Sequence, residues 1–233
     1  MLLKMALVTW FAGLSAFVGA LIAKWEGSTE TLAKQRFVHG VVAAGGGILL
    51  SAIMYALLPE ASKHLPVWAV AIAFLAGGAL FCWVDEWLAK KATKASQLLA
   101  MLLDFVPEAL SLGAMFAFDP RFGMLLALFI GLQNLPEGFN AFRELKDSKV
   151  TEKQRLIGFF LVAFIGPLAA FLGYYLLADA MQITALIMAT AAGGILYLIF
   201  QDIAPKATMR RHWTPPLGAV IGFVLGMVGN QLL

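Results

Sequence analysis

Charge is scarce in this chain. Only 13% of its 233 residues are Asp, Glu, Lys or Arg, roughly half the share of a soluble domain of this size. That scarcity excludes an ordinary water-soluble globule. Cysteine is nearly absent: Cys82 is the single one, so no disulfide framework can form within a monomer. It sits inside an apolar run and reads as a small buried apolar residue. The three histidines, His39, His64 and His212, lie at run edges or in loops, where they read as interfacial side chains rather than ligands. There is no His-Glu-x-x-His, no Gly-x-Ser-x-Gly and no phosphate-binding Walker loop. Ser51 and Ser111 are isolated and read as helix-packing groups. Machinery for hydrolysis is therefore missing, no enzyme is expected, and nothing calls for an organic cofactor.

What the chain has is apolar length. Hydrophobic residues make up 61% of it, and the mean hydropathy is +0.84. A membrane-crossing helix needs about 20 mostly apolar residues. Eight runs meet that: 5–23, 37–58, 65–88, 97–118, 122–142, 156–178, 183–204 and 215–233. The expectation is an all-α polytopic membrane protein, with residues 1–233 forming a single transmembrane domain. Lys4 ahead of the first run gives it the look of a signal peptide. Its apolar core is longer than a signal core, and Lys24, Trp25 and Glu26 follow like a stop-transfer flank, so we expect a retained helix.

The pI near 9.0 and net charge of +3 do not point to nucleic acid, because the basic residues sit in short loops. Fourteen of the 17 Lys and Arg residues fall in the first, third, fifth and seventh loops; only Lys4, Lys63 and Arg121 lie on the other side. By the positive-inside rule the odd loops are cytoplasmic and both termini face out, in the cytoplasmic (inner) membrane of the cell.

Two of the runs carry acids deep inside them. One reads Leu103-Asp104-Phe105-Val106-Pro107-Glu108-Ala109 and the other Leu132-Gln133-Asn134-Leu135-Pro136-Glu137-Gly138. Positions four apart share a helix face, so Asp104 lies beside Glu108 and Gln133 beside Glu137. A carboxylate within a membrane span marks a functional site by default. The two motifs run opposite ways through the membrane, which relates them as inverted repeats. Each proline removes one backbone donor and frees a carbonyl one turn earlier; a bound cation is one partner for it. With Gln201 and Asp202 near the inner end of the seventh run, the polar set is made of oxygen donors. Carboxylate and amide oxygens suit hard or borderline divalent cations. Asp85 and Glu86 close the third run and read as surface groups. Small-residue stretches at 43–47, 77–79 and 191–194 read as helix-packing surfaces.

This pattern resembles the ZIP (Zrt/Irt-like) family of divalent-metal transporters, in particular its bacterial branch, over almost the whole chain. The residues that carry the resemblance are Leu57-Leu58-Pro59-Glu60-Ala61, the two Pro-Glu motifs with Gln133-Asn134 ahead of the second, and Ala192-Gly193-Gly194-Ile195-Leu196-Tyr197. The resemblance implies uptake of zinc, iron, manganese, cadmium or related ions by alternating access, with membrane lipid as surroundings and often in a homodimer. The implied metal residues are Asp104, Glu108, Gln133, Asn134, Glu137 and Asp202. The chain departs from the family where Asp104-Phe105 replaces His-Asn, Gly166 replaces a glutamate before Pro167, Leu49 replaces a methionine, and Gln201-Asp202 with Pro205-Lys206 replaces Asp-Glu with Pro-Glu. The histidine-rich third loop shrinks to 90–96. Phe105 cannot ligate and Gly166 offers no carboxylate, so the central site is expected to hold one metal. The same departures leave a second reading open: a non-transporting member acting as a metal-binding sensor or partner protein.

Overall fold

The computed structural model of the chain describes residues 1–26, 31–91, 96–118, 120–148, 150–177, 179–209 and 212–232, and the regular elements among them are all helical. Helix α1 is Leu2–Trp25. Helix α2 (Leu32–Ala52) passes through a π-helical stretch, Ile53–Leu57, into α3 (Leu58–His64). Then come α4 (Val67–Lys91), α5 (Ser96–Phe118) and α6 (Pro120–Glu144). Helices α7 (Glu152–Val162) and α8 (Ile165–Leu176) are separated by a two-residue turn. Helix α9 (Met181–Leu198) passes through a second π-helical stretch, Ile199–Ile203, into α10 (Ala204–Ala207), and α11 is Thr214–Leu232. Among the described residues the eight expected runs thus coincide with eight helical segments, called passages below for their place in the chain. The sixth, expected to be continuous, is broken at Ala163 and Phe164. The cause is Pro167, whose ring clashes with the carbonyl four residues earlier, that of Ala163.

Among the described residues, five stretches are long and apolar enough to cross a membrane: Leu2–Trp25, Leu32–His64, Val67–Trp87, Glu152–Leu176 and Met181–Ile203. Large apolar side chains such as Trp68, Ile72 and Leu75 on α4 face outward, as lipid contact requires. The chain is a multi-pass membrane protein. Polar caps begin two of the helices. The Thr31 hydroxyl accepts from the Lys34 amide at 3.3 Å, and Thr151 and Gln154 form a reciprocal capping box at the start of α7.

The helices pack in close pairs: α1 on α6, α5 on α8, α2 on α11, and α4 on α9. Glycine makes the approach possible. A Cβ at Gly138 of α6 would overlap the Ala16 backbone of α1, and one at Gly77 of α4 would overlap the Thr190 carbonyl of α9. The small-residue stretches therefore pack helices, as expected. In each pair the contacts advance together along both chains. Ala12 lies by Gly131 and Ala16 by Gly138; Gly77 lies by Thr190 and Phe81 by Gly194. The partners run parallel, as alternating passages of the same parity must.

Two four-passage bundles result. The first holds α1, α5, α6 and α7–α8; the second holds α2–α3, α4, α9–α10 and α11. They meet where α2 packs on α6 and α5 on α9.

Candidate metal centre

Helices α5 and α6 form an antiparallel hairpin within the first bundle, and they bring the two Pro-Glu motifs together. The Glu108 side chain is buried, with 2% of the residue exposed. Its Oε2 accepts a hydrogen bond from Gln133 Nε2 at 2.6 Å. The bond runs across the hairpin, from α6 to α5, a link that helical spacing within one helix does not reveal. Gln133 and Asn134 are 1% exposed, and Glu137, one turn past Gln133, is half-buried. Asn134 Nδ2 donates to the Ala12 carbonyl of α1 at 3.0 Å, while its Oδ1 is buried and has no hydrogen-bond partner among the described residues. The amide thus ties α6 to α1 and keeps one oxygen in reserve. Pro107 and Pro136 lie inside uninterrupted α-helices. No Lys or Arg occurs in α5, and α6 carries only Arg121 and Arg143, near its ends.

Asp104 lies on α5 one turn before Glu108; its side chain falls outside the described residues. Asp202 is half-buried in the π-helical stretch after α9. Its neighbour Ile203 packs against Gly46 of α2, and the adjacent Gly45 packs against Pro136 of α6. Helix α2 thus stands between Asp202's stretch and the α5–α6 site. Among the described residues no group of three or more His, Cys, Asp or Glu side chains gathers at one point.

Phe105 occupies a different place. Its ring is buried (2% exposed) and reaches toward α1 and α8. A Cβ at Gly166 would lie 2.9 Å from Phe105 Cζ and 2.7 Å from the Thr9 carbonyl oxygen; one at Gly13 would lie 3.1 Å from the same Cζ. Phe105 and Gly166 are thus complementary. The ring takes the volume that a side chain at position 166 would need.

Several polar groups escaped the sequence reading. Glu60 of α3 is 4% exposed, with Lys63 Nζ 2.6 Å and His64 Nε2 3.3 Å from its carboxylate. A signal was there: Pro59-Glu60 is a third Pro-Glu pair. Asp85, expected at the surface, is half-buried and accepts from Tyr197 OH at 3.1 Å, joining α4 to α9. Glu26, read only as a flank, is clasped between α2 and α6 by Lys34 and Arg143.

No curated protein sequence matches the chain. A family model, described as ZIP Zinc transporter, matches residues 84–231, from the end of α4 to the end of α11. That stretch contains both halves of the α5–α6 site and most of the close-packed helices around it. A buried acid–amide centre on a proline-bearing hairpin, and a family match over more than half of the chain, agree: the chain belongs to the ZIP zinc transporter family.

Proposed function

We propose that the protein carries divalent metal cations inward across the cytoplasmic membrane by alternating access, with both termini outside. The α5–α6 hairpin holds the cargo. Asp104, Glu108, Gln133 and Glu137 are its ligands, Asn134 ligates or orients, and Asp202 serves the cation at the inner end of α9. The observation that carries the reading is the buried Glu108 carboxylate bonded across the hairpin to Gln133 at 2.6 Å. A carboxylate in a membrane interior is costly, and α5 brings no basic residue to offset it. A divalent cation does, and the Gln133 amide holds the carboxylate in place for it. Oxygen donors on all sides favour hard to borderline ions such as Mn2+, Fe2+ and Zn2+. The wedge of Phe105 against Gly166 supports a single metal in this centre.

The test is uptake of Zn2+, Mn2+, Fe2+ and Cd2+ into proteoliposomes by the full chain, beside Glu108→Ala and Glu137→Ala. Loss of uptake to the empty-liposome level in both variants is expected. Undiminished uptake in both would remove the site assignment. A folded wild-type chain that binds metal yet moves none at any pH would favour the second reading, a sensor or partner protein, which the Phe105 and Gly166 departures motivate.

A further inference from the structure

A groove of about 620 Å3 lies in the second bundle, between α2, α11 and the passage from α9 into α10. It is open to the surroundings at Leu50, Ala204 and Val220, which line it and are exposed. Along α2 its wall runs from Ala43 to Leu50, a rise of about 10 Å. Thr208 and His212 apart, the side chains that line it are apolar. In a membrane protein such a concavity faces hydrocarbon. Apolar walls with nothing against them forfeit dispersion contacts, and water gains little where it finds few polar partners. An acyl chain restores those contacts.

The two ends of the groove differ. Thr208 and His212 both lie where α10 gives way to α11. The Thr214 amide donates to His212 Nδ1 at 3.2 Å, so the neutral ring carries its proton on Nε2 and offers a donor there. That ring stacks on Trp213, with centroids 5.6 Å apart. Trp213 is 69% exposed, as tryptophans at a membrane–water interface are. Charge at this end is of one sign. Residues 203–214 carry Lys206, Arg210 and Arg211 and no acid, and residues 31–59 carry Lys34 and Arg36 and no acid. Arg36 is exposed on α2, one turn before Gly40, which abuts Thr214. The acid that α1 brings to the start of α2, Glu26, is already paired with Lys34 and Arg143. Apolar groove, interfacial aromatic and basic end follow one another in the order of an acyl chain, its ester region and its phosphate.

We propose that this groove seats one acyl chain of an anionic phospholipid, with the phosphate of that lipid at the end marked by His212, Arg36 and the loop sequence Arg210-Arg211. Basic clusters beside membrane helices draw anionic headgroups, each Lys or Arg contributing about fivefold in affinity. A zwitterionic lipid fits the groove equally well but gains nothing from the charge. The seated chain packs on Ile199 and Ile203, the first and last residues of the second π-helical stretch. Under the orientation proposed above this end lies in the cytoplasmic leaflet, where anionic lipid is concentrated. The binding itself depends neither on that orientation nor on the metal centre.

Native mass spectrometry of the full-length chain tests this, with the protein stripped of lipid in detergent and titrated with phosphatidylglycerol or phosphatidylcholine of identical acyl chains. One phosphatidylglycerol is expected to be retained about tenfold more tightly than phosphatidylcholine. Arg210→Gln together with Arg211→Gln should bring it down to the phosphatidylcholine level. Ala204→Phe puts a ring into the exposed part of the groove and should weaken both lipids about fivefold; if that variant misfolds, the arginine pair still decides. An excess of inorganic phosphate should leave the lipid bound. Equal retention of the two lipids by wild type, or a preference that survives both variants, would overturn the proposal. Displacement by inorganic phosphate would overturn it in favour of a free-anion site. A lipid-free dimer that Ala204→Phe splits into monomers would give the groove to a second copy of the chain and overturn it as well.

Discussion

Apart from Pro167, which breaks the sixth passage, the prolines inside the helical segments sit differently in the two bundles. In the first, Pro107 and Pro136 sit within unbroken α-helices. In the second, Pro59 and Pro205 are each preceded by five residues of π-helix, Ile53–Leu57 and Ile199–Ile203. The two π-helical stretches match bond for bond. The residue ahead of each proline, Leu58 or Ala204, donates to the carbonyl five residues back, Ile53 or Ile199. A proline in a helix loses a donor and collides with the carbonyl four back; the wider register moves that carbonyl aside. Helices α5 and α6 of the first bundle instead keep their register at Pro107 and Pro136 and carry Asp104, Glu108, Gln133, Asn134 and Glu137 close to them. Because α2 and α9 run antiparallel, the two π-helical stretches are displaced toward opposite ends of the second bundle. The contrast is thus between a regular α5–α6 hairpin that carries the acids and a second bundle with one π-helical joint toward each of its ends. Stretches of π-helix within α-helices recur at functional positions.

The sharpest way to break the contrast is to spoil the bundle that carries the acids. Gly138→Val places side-chain atoms where the Ala16 backbone of α1 already lies. Backbone atoms cannot move aside as a side chain tip can, so α1 and α6 must part. Overpacking of this kind costs about 1–3 kcal/mol in a well-packed core, and here it also strains the Asn134–Ala12 bond. A fall in thermal stability and in folded yield, followed by fluorescence-detected size exclusion, is expected. Unchanged stability would mean that α1 and α6 do not pack this closely.

Loosening or tightening the joints should do less to folding and more to rate. Pro59→Ala and Pro205→Ala each restore an amide donor and let the α-register continue. Stability should change little, by under about 1 kcal/mol, since helix propensity gained offsets packing lost. Uptake should slow several-fold at saturating cation, while half-saturation stays put for Pro59→Ala, because the proposed α5–α6 ligands are in the other bundle. The same slowing from Pro107→Ala, without a change in half-saturation, would erase the distinction drawn here.

Hydropathy made the eight passages legible, and the i,i+4 spacing made the polar face of α5 and α6 legible. Neither could show the π-helical stretches. Pro107 and Pro136 inside apolar runs, and Pro59 and Pro205 just past the ends of two others, carry no mark of register in the sequence, and the backbone register around them is decided by what packs against the turn before. The Glu108–Gln133 bond was hidden for a related reason: periodicity reports neighbours on one helix, whereas this bond depends on how the hairpin closes. Phe105 was legible as a non-ligand, but only packing reveals that its ring needs Gly13 and Gly166 to be bare. Glu26 was read as a charged flank because sequence position alone cannot tell a solvated acid from one enclosed by α2 and α6.

The smallest expected effect tests whether polar ties follow the same division. Each bundle has, among the described residues, a side-chain hydrogen bond that joins two helices of a close pair: Asn134 to the Ala12 carbonyl in the first, Tyr197 to Asp85 in the second. Asn134 is 1% exposed, so Asn134→Ala removes a bond that water cannot replace, at a cost of about 0.5–1.5 kcal/mol. Asp85 and Tyr197 are only half-buried, so after Tyr197→Phe the carboxylate rehydrates and the loss should be a few tenths of a kcal/mol. Thermal unfolding of the two variants in the same detergent gives the order directly. Equal losses, or a larger one at Tyr197, would show that the second bundle depends on its polar tie as much as the first, and that its freedom is confined to the two π-helical stretches.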